Sequence, residues 1–367
     1  MGEKMRVAVV FGGKSGEHEV SLRSAASVID ALPEDKYEVV LVGITKTGRW
    51  VLGEAAASLL AGQAEAPGER LVLPADPERG LIEVDLATGR VRWERVDLVF
   101  PVLHGTFGED GTIQGLLEMA DLPYVGAGVA ASAVGMDKVL MRDLYRQSGL
   151  PVVDSDFYLR SRWRREPERV LDEVEARFGY PCFVKPANLG SSVGVSKAHD
   201  RAELAEAVAL AARFDRKVLV EQAVNAREIE CSVLGNDEPI ASVPGEIVPS
   251  REFYDYAAKY IDEDSQLVIP AKLDSATAAR VQDLAVRAFK AIDCAGMGRV
   301  DFFLDRDDGR LYVNEINTIP GFTSISMYPK LWEASGLPYP RLLDRLLQLA
   351  LERYREKRES DTSFNVD

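Results

Sequence analysis

The sequence predicts an α/β protein of more than one domain, with a parallel sheet at its N-terminus and α+β elements behind it. Three observations lead there. Arg6-Val7-Ala8-Val9-Val10-Phe11 is an apolar run ending in Gly12-Gly13; a helix-spaced set (Val20, Ala25, Val28, Ile29, Leu32) and a second run, Val39–Ile44, follow it as a βαβ unit. The runs Arg299–Leu304 and Leu311–Thr318, separated by Asp305-Arg306-Asp307-Asp308-Gly309-Arg310, read as a hairpin. The 367 residues suffice for two or three domains.

Further along, Leu52 to Arg95 is rich in Ala, Glu, Pro and Gly and reads as a surface insertion with a small hairpin, after which Asp97–Leu103 resumes the sheet. Helices are expected over Lys138–Ser148 (stopped by Gly149-Leu150-Pro151), Trp163–Phe178, Ala202–Phe214 and Ser275–Ile292. Strands are expected over Pro181–Lys185 and Lys217–Val220, and an antiparallel pair, Glu228–Leu234 with Pro239–Val243, around Asn236-Asp237. Shifts of charge and composition place boundaries near 137 and 221. The segments are then 1–137 (with the insertion at about 52–95), 138–221 and 222–354, followed by a polar tail, 355–367, expected to be disordered.

The C-terminal hairpin carries the clearest chemistry. Alternate strand residues share a face, so Glu315 and Asn317 project together. A three-residue loop with Gly309 left-handed would set Asp301 opposite Glu315, with Arg299 alongside. Two carboxylates and an amide oxygen form an oxygen-only set of the kind magnesium takes, and magnesium usually arrives with phosphates. An ordinary hairpin with solvated acids is the alternative.

Other segments offer partners for such a nucleotide. Lys185 closes an apolar strand, where an unpaired ammonium is costly, and Asn188-Leu189-Gly190-Ser191-Ser192-Val193-Gly194 behind it can cradle phosphate with backbone N–H groups. Lys138 opens a helix and could add a contact, although a solvated lysine reads the same way. Glu221-Gln222-Ala223-Val224 ends a strand where an adenine edge could bond, and Glu228 could take ribose hydroxyls. Gly13-Lys14-Ser15 is not a P-loop, because Ala8 stands where that motif needs glycine.

Glu17 follows the first parallel strand, at the carboxyl end where such sheets bind ligands, and could hold an ammonium; a first-turn acid facing the helix dipole is the plainer reading. His104 opens a turn with four glycines, Gly105 to Gly115, which permits close backbone approach to a ligand. Phe253-Tyr254-Asp255-Tyr256-Ala257-Ala258-Lys259-Tyr260 reads as an aromatic, basic loop, either a lid or a plug in a domain seam.

The net charge of −15 argues against non-specific nucleic-acid binding and requires any nucleotide site to concentrate its cations locally. Cys182, Cys231 and Cys294 form no CxxC and read as reduced core thiols of a cytoplasmic protein, and three histidines leave no basis for a histidine-built zinc site. There is no secretory pattern and no apolar run of membrane-spanning length.

In this order, the segments resemble the D-alanine–D-alanine ligases of the ATP-grasp superfamily, from about Met5 to Leu349. The carriers are Glu17-His18-Glu19-Val20-Ser21-Leu22, His104-Gly105 with Gly108-Glu109-Asp110-Gly111, Met136-Asp137-Lys138, Phe183-Val184-Lys185-Pro186, Gly190-Ser191-Ser192-Val193-Gly194, Tyr254-Asp255-Tyr256 with Lys259-Tyr260, Arg299-Val300-Asp301, and Glu315-Ile316-Asn317-Thr318 with Pro320-Gly321.

The resemblance implies a three-domain ATP-grasp fold and ATP-dependent joining of two D-alanines through an acyl phosphate, a peptidoglycan-precursor step of the bacterial cytoplasm, in a homodimer. Glu17 would bind the first ammonium and form a trio with Ser191 and Tyr260 that closes the lid; His104 would lie near the first carboxylate. Lys138, Lys185 and Lys259 would hold phosphates together with the Ser192 loop, Glu221 through Val224 the adenine, and Glu228 the ribose. Asp301, Glu315 and Asn317 would bind two magnesium (or manganese) ions, with potassium a further candidate. Arg299 and the Gly321 N–H would stabilise the tetrahedral oxyanion, and Ser326 and Met327 would meet the second carboxylate.

Gln222 and Ala223 depart from members that carry lysine and a large aromatic in the adenine hinge, and the insertion marks the longer subtype. Tyr260 argues against the nearest rival, a D-alanine–D-lactate ligase. The Glu17–Ser21 motif argues against a biotin-carboxylase-like ATP-grasp enzyme, and the full set of charged residues against an inactive nucleotide-binding module.

Overall fold

The computed structural model describes residues 3–63, 70–72, 80–84, 88–248 and 266–361. The first strand, β1 (Met5–Gly12), is the apolar run of the sequence and is almost wholly buried, as a central parallel strand should be. It pairs in parallel with β2 (Tyr37–Ile44) and with β7 (Leu98–Val102). A short β3 (Trp50–Leu52) adds antiparallel to β2, giving the order β3-β2-β1-β7. The helix α1 (His18–Ala31) buries Val20, Ser24, Ala25 and Val28 at helical spacing. Because β2 and β7 flank β1 on opposite sides, the chain changes direction at β1 and β7. Their carboxyl ends form the crevice where open α/β sheets bind ligands.

The insertion is more than a hairpin. It holds α2 (Gly53–Leu60) and a three-stranded antiparallel sheet, β4 (Arg70–Val72), β5 (Leu81–Val84) and β6 (Val91–Glu94). The stretch after β7 supplies α3 (Thr112–Met119), α4 (Val129–Met136) and α5 (Lys138–Gln147). Asp137 caps α5 by accepting from the N–H groups of Val139 and Leu140 at 3.1 and 3.3 Å.

A second sheet, entirely antiparallel, has the order β10-β9-β11-β8. Its strands are β8 (Ser155–Leu159), β9 (Cys182–Pro186), β10 (Ser196–Ala198) and β11 (Lys217–Gln222). The helix expected over Trp163–Phe178 is in fact two, α6 (Arg160–Arg165) and α7 (Pro167–Phe178). Pro167 has no N–H to continue the first helix but suits the opening turn of the second. With α8 (Arg201–Phe214) they bury one apolar core against this sheet.

The third sheet runs β15-β14-β12-β16-β17, with β13 beside β12. Its strands are β12 (Ala226–Gly235), β13 (Ile240–Ala241), β14 (Gly245–Val248), β15 (Gln266–Val268), β16 (Gly296–Asp305) and β17 (Leu311–Asn317). The expected pairing of β12 with β13 is present but short, and the main partner of β12 is β16, over ten residue pairs. Behind it lie α5 and α9 (Ser275–Ala291), sharing a core that includes Met141, Tyr145, Phe289 and Phe302.

After β17 the chain forms α10 (Met327–Ala334) and returns to the first sheet as α11 (Tyr339–Lys357). The leucines of α11, Leu342, Leu343, Leu346 and Leu347, are fully buried in the core of β1 and β7, beside Phe322 and Tyr328. Helical order thus continues past Tyr354, and the last residues of the expected tail lie outside the described ones. All three cysteines are buried and unpaired with one another.

Candidate active site

Three walls meet around a cleft of about 1150 Å³: the carboxyl end of the first sheet, the end of β9 in the second with the loop that follows it, and the face of the third that carries β12, β16 and β17. Asp301 pairs with Glu315 and Arg299 with Asn317, the juxtaposition expected from the sequence. The route differs. Asp305 N–H donates to Arg310 O at 2.8 Å, so four residues, not three, form the turn, with Gly309 left-handed at φ +71°. From that turn, Phe302 pairs with Val313, and the register shifts between Phe302 and Asp301. The bulge leaves Asn314 as the extra residue and restores the Asp301–Glu315 pairing.

These acids are answered by cations. The Arg299 guanidinium donates from Nε and Nη2 to the two oxygens of Asp301, 2.7 Å each, and its Nε lies 3.0 Å from Glu230 Oε2. The two carboxylates hold Arg299 firmly charged against the cost of its burial. Asn317 donates its amide to Asp301 at 3.0 Å, leaving its carbonyl oxygen for a cation. Lys138 Nζ stands 3.5 Å from Glu315 and donates to Leu189 O at 2.8 Å. Two carboxylates and an amide fit a hard divalent ion; among the described residues, no group of three or more His, Cys, Asp or Glu surrounds a single point.

The second wall presents Lys185, Gly190, Ser191 and Ser192 to the cleft. Ser191 and Ser192 adopt left-handed φ of 52° and 57°, unusual for non-glycine residues, and aim this loop inward. Lys185 is buried and lies 2.5 Å from Glu221. Burial lowers its pKa, while Glu221 opposes the shift. Glu221, Gln222, Ala223 and Val224 do not line the cleft, and the Glu221 carboxylate is spent on Arg142 and Lys185. Glu228 does line it.

The third wall follows β1 and β7. Ser191 Oγ donates to Glu17, so the expected trio has two members in contact; Tyr260, like Lys259, lies outside the described residues. Glu17 sits between backbones. A Cβ on Gly105 would overlap Glu17 Oε2, and one on Gly190 would come within 3.0 Å of it. His104 lines the cleft with both ring nitrogens engaged: Nδ1 donates to Ile319 O at 3.1 Å and Nε2 accepts from Ser24 Oγ at 3.0 Å. Burial pushes its pKa down, and through Ile319 and Ser24 the ring braces the Ile319–Phe322 segment. Gly321, Ser326 and Met327 follow in the same wall, where Ser326 Oγ accepts from Thr323 N–H at 2.9 Å.

Sequence reasoning singled out neither Glu109, Glu230 nor Arg142. Glu109 accepts from Gly105 N–H at 2.8 Å and Ile319 N–H at 3.1 Å, and burial, aided by Glu17, pushes its pKa up to about 8. The two-residue spacing of Glu228 and Glu230 on β12 was the one available signal for a second cleft-facing acid.

Fold and cleft are those of the ATP-grasp class. The model of the "D-ala D-ala ligase N-terminus" matches residues 6–127 and that of the "D-ala D-ala ligase C-terminus" residues 144–348. The D-alanine–D-alanine ligase of Heliobacterium modesticaldum is 57% identical over 360 residues, covering 98% of each chain, and that of Acetivibrio thermocellus is 49% identical, covering 97% of this chain and 98% of its own. Among solved structures, the D-alanine-D-alanine ligase of Coxiella burnetii superposes with TM-score 0.83 at 39% identity, over 98% and 97% of the two chains. The VanG D-Ala:D-Ser ligase of Enterococcus faecalis gives 0.84 at 38%, over 95% and 100%. This chain belongs to the D-alanine–D-alanine ligase family.

Proposed function

We propose that the chain ligates two D-alanines to D-alanyl-D-alanine with ATP, giving ADP and phosphate, for peptidoglycan precursor synthesis. One observation carries the reading: an acid at the crevice of the parallel sheet, Glu17, touches through Ser191 the same cleft that holds Lys138, Lys185, Asp301 and Glu315. An ammonium site thus adjoins a phosphate and metal site, as activating an amino acid's carboxylate requires.

In this reading Glu17 holds the first D-alanine's ammonium. Lys138, Lys185 and the Ser191–Ser192 loop orient the triphosphate, with Lys259 from the lid; Glu228 faces the ribose, and Glu221 to Val224, which stand outside the cleft lining, reach the adenine through backbone groups and not through the Glu221 carboxylate. Asp301, Glu315 and Asn317 would hold magnesium, which supplies charge neutralisation to the phosphates when bound. The carboxylate takes the γ-phosphoryl group, a step governed by positioning and charge. The second D-alanine's amine then attacks the acyl phosphate. Arg299 and the Gly321 N–H stabilise the oxyanion, each such donor worth about 3–4 kcal/mol, and phosphate departs. Ser326 and Met327 receive the second carboxylate. His104 acts through the Ile319–Phe322 segment.

The same reading divides the chain near 137 and 221 into three domains and takes the enzyme as a cytoplasmic homodimer, with potassium as an additional activator. Among the described residues, no helix is long and apolar enough to cross a membrane.

Phosphate release that requires both ATP and D-alanine, with the product weighed by mass spectrometry, tests the function. D-alanyl-D-alanine is expected. The likeness to a D-Ala:D-Ser ligase makes D-serine the second acceptor to include beside D-lactate. Mostly depsipeptide, or a dipeptide ending in serine, overturns the substrate reading.

A further inference from the structure

The phosphate wall contains a charged group that these roles leave unused. Arg142 lies four residues after Lys138 on α5, and so on the same helix face. It is 1% exposed. Its Nη2 forms an ion pair with Glu221 and reaches Asn314 Oδ1 at 3.4 Å. Glu221, 2% exposed, meets Lys185 Nζ with its other oxygen at 2.5 Å. Nε and Nη1 of Arg142 have no hydrogen-bond partner among the described residues. Burying a guanidinium with donors unsatisfied is costly, and an apolar side chain of similar volume would often serve stability as well.

We propose that Arg142 is a positioning residue for ATP binding: by sharing Glu221 with Lys185, it leaves the buried trio with a net positive charge to present to the triphosphate. The proposal rests on reading Lys185 as a phosphate contact. Two cations share one carboxylate, so one positive charge is left over. Without Arg142 the pair that remains sums to zero, and Glu221 holds the ammonium alone. Glu221 keeps a partner in that case, so the change leaves no orphaned buried charge. In a water-poor wall the lost charge counts for more than it would at a surface. Through Asn314 the same guanidinium also braces the bulge that pairs Asp301 with Glu315.

The test is steady-state kinetics on the full chain with Arg142→Met, Arg142→Lys, Lys185→Met and the double variant Arg142→Met with Glu221→Gln. Arg142→Met is expected to raise KM for ATP roughly tenfold or more, with KM for D-alanine unchanged. Arg142→Lys retains most of the ATP affinity. The double variant removes one cation and one anion, and is expected to bind ATP better than Arg142→Met alone. A merely structural role predicts the reverse, since two core changes then harm more than one. If Arg142→Met does not fold, Arg142→Gln with and without Glu221→Gln makes the same comparison. An unchanged KM for ATP in the single variant, or a double variant no better than the single, overturns the proposal. Lys185→Met separates the two levels: if it too leaves KM for ATP unchanged, the phosphate reading itself has failed; if it raises KM while Arg142→Met does not, only the present inference has.

Discussion

Two acidic centres share one cleft and are held by opposite means. Asp301 and Glu315 are met by side-chain cations, Arg299 and Lys138. Glu109 is met by two backbone N–H groups, from Gly105 and Ile319, and its neighbour Glu17 is a second acid. The same carboxyl group is therefore firmly matched by charge on one side and pushed up to about 8 on the other. The difference shows how the cleft is assembled. The side proposed for the metal is built from side chains on paired strands. The side proposed for the amino acid is built from backbone, brought close by glycines.

The comparison can be broken most severely on its charged side. Replacing Glu315 with Gln removes a carboxylate from the proposed magnesium set and should cut D-alanine-dependent phosphate release by at least about a hundredfold. The melting temperature should hardly move, and unchanged turnover would disprove the metal assignment.

On the backbone side, Gly105→Ala puts a Cβ onto Glu17 Oε2 at a left-handed φ of 72°. Displacing that carboxylate should lower kcat/KM for D-alanine about a hundredfold while leaving KM for ATP near its normal value. An equal loss for both substrates would show that the turn shapes the whole cleft and not its amino-acid half.

A milder change is Ser191→Ala, which deletes the hydroxyl that donates to Glu17. One charge-assisted hydrogen bond corresponds to about 10–100-fold in kcat/KM. Wild-type kinetics in this variant would remove the proposed link between phosphate loop and ammonium site.

The remaining effect concerns stability and not turnover. The folded pKa of Glu109 is raised from 4.5 to about 8. Below the lower value both folded and unfolded chains carry the proton. Between the two values the unfolded chain ionises first, so stability falls as pH rises. Glu109→Gln should remove that slope, and the gap in melting temperature between variant and wild type should shift in the variant's favour from pH 5 to pH 8. Parallel curves would mean that Glu109 is ionised in the folded chain.

What could be read in advance follows the same division. Strand periodicity placed Glu315 and Asn317 on one face, and the Asp301 pairing was right although the turn has four residues, because the bulge at Asn314 compensates. Such a compensation depends on local backbone geometry and leaves no mark in residue spacing. Lys185 was legible as a residue that needs a partner, because a lysine in an apolar strand is costly unpaired, whereas Glu17 read more plainly as a first-turn acid and only the fold brings it to the cleft beside Ser191. Arg142 looked like any basic residue of an amphipathic helix until α5 packed against β17 and β11. The role of Glu109 depends on Ile319, which is 210 residues away in the chain. His104 was marked as functional by its place in the glycine turn, but its work as a brace is defined by Ser24 and Ile319, which only the fold brings together.

The central claim is that the cleft activates an amino acid's carboxylate by phosphorylating it. Oxygen transfer tests this most directly: D-alanine with heavy oxygen in its carboxylate is incubated with ATP and magnesium, and the released phosphate is analysed by mass spectrometry. The account predicts that each phosphate carries one labelled oxygen, alongside ADP and D-alanyl-D-alanine. Unlabelled phosphate, or release of AMP and pyrophosphate, would contradict it.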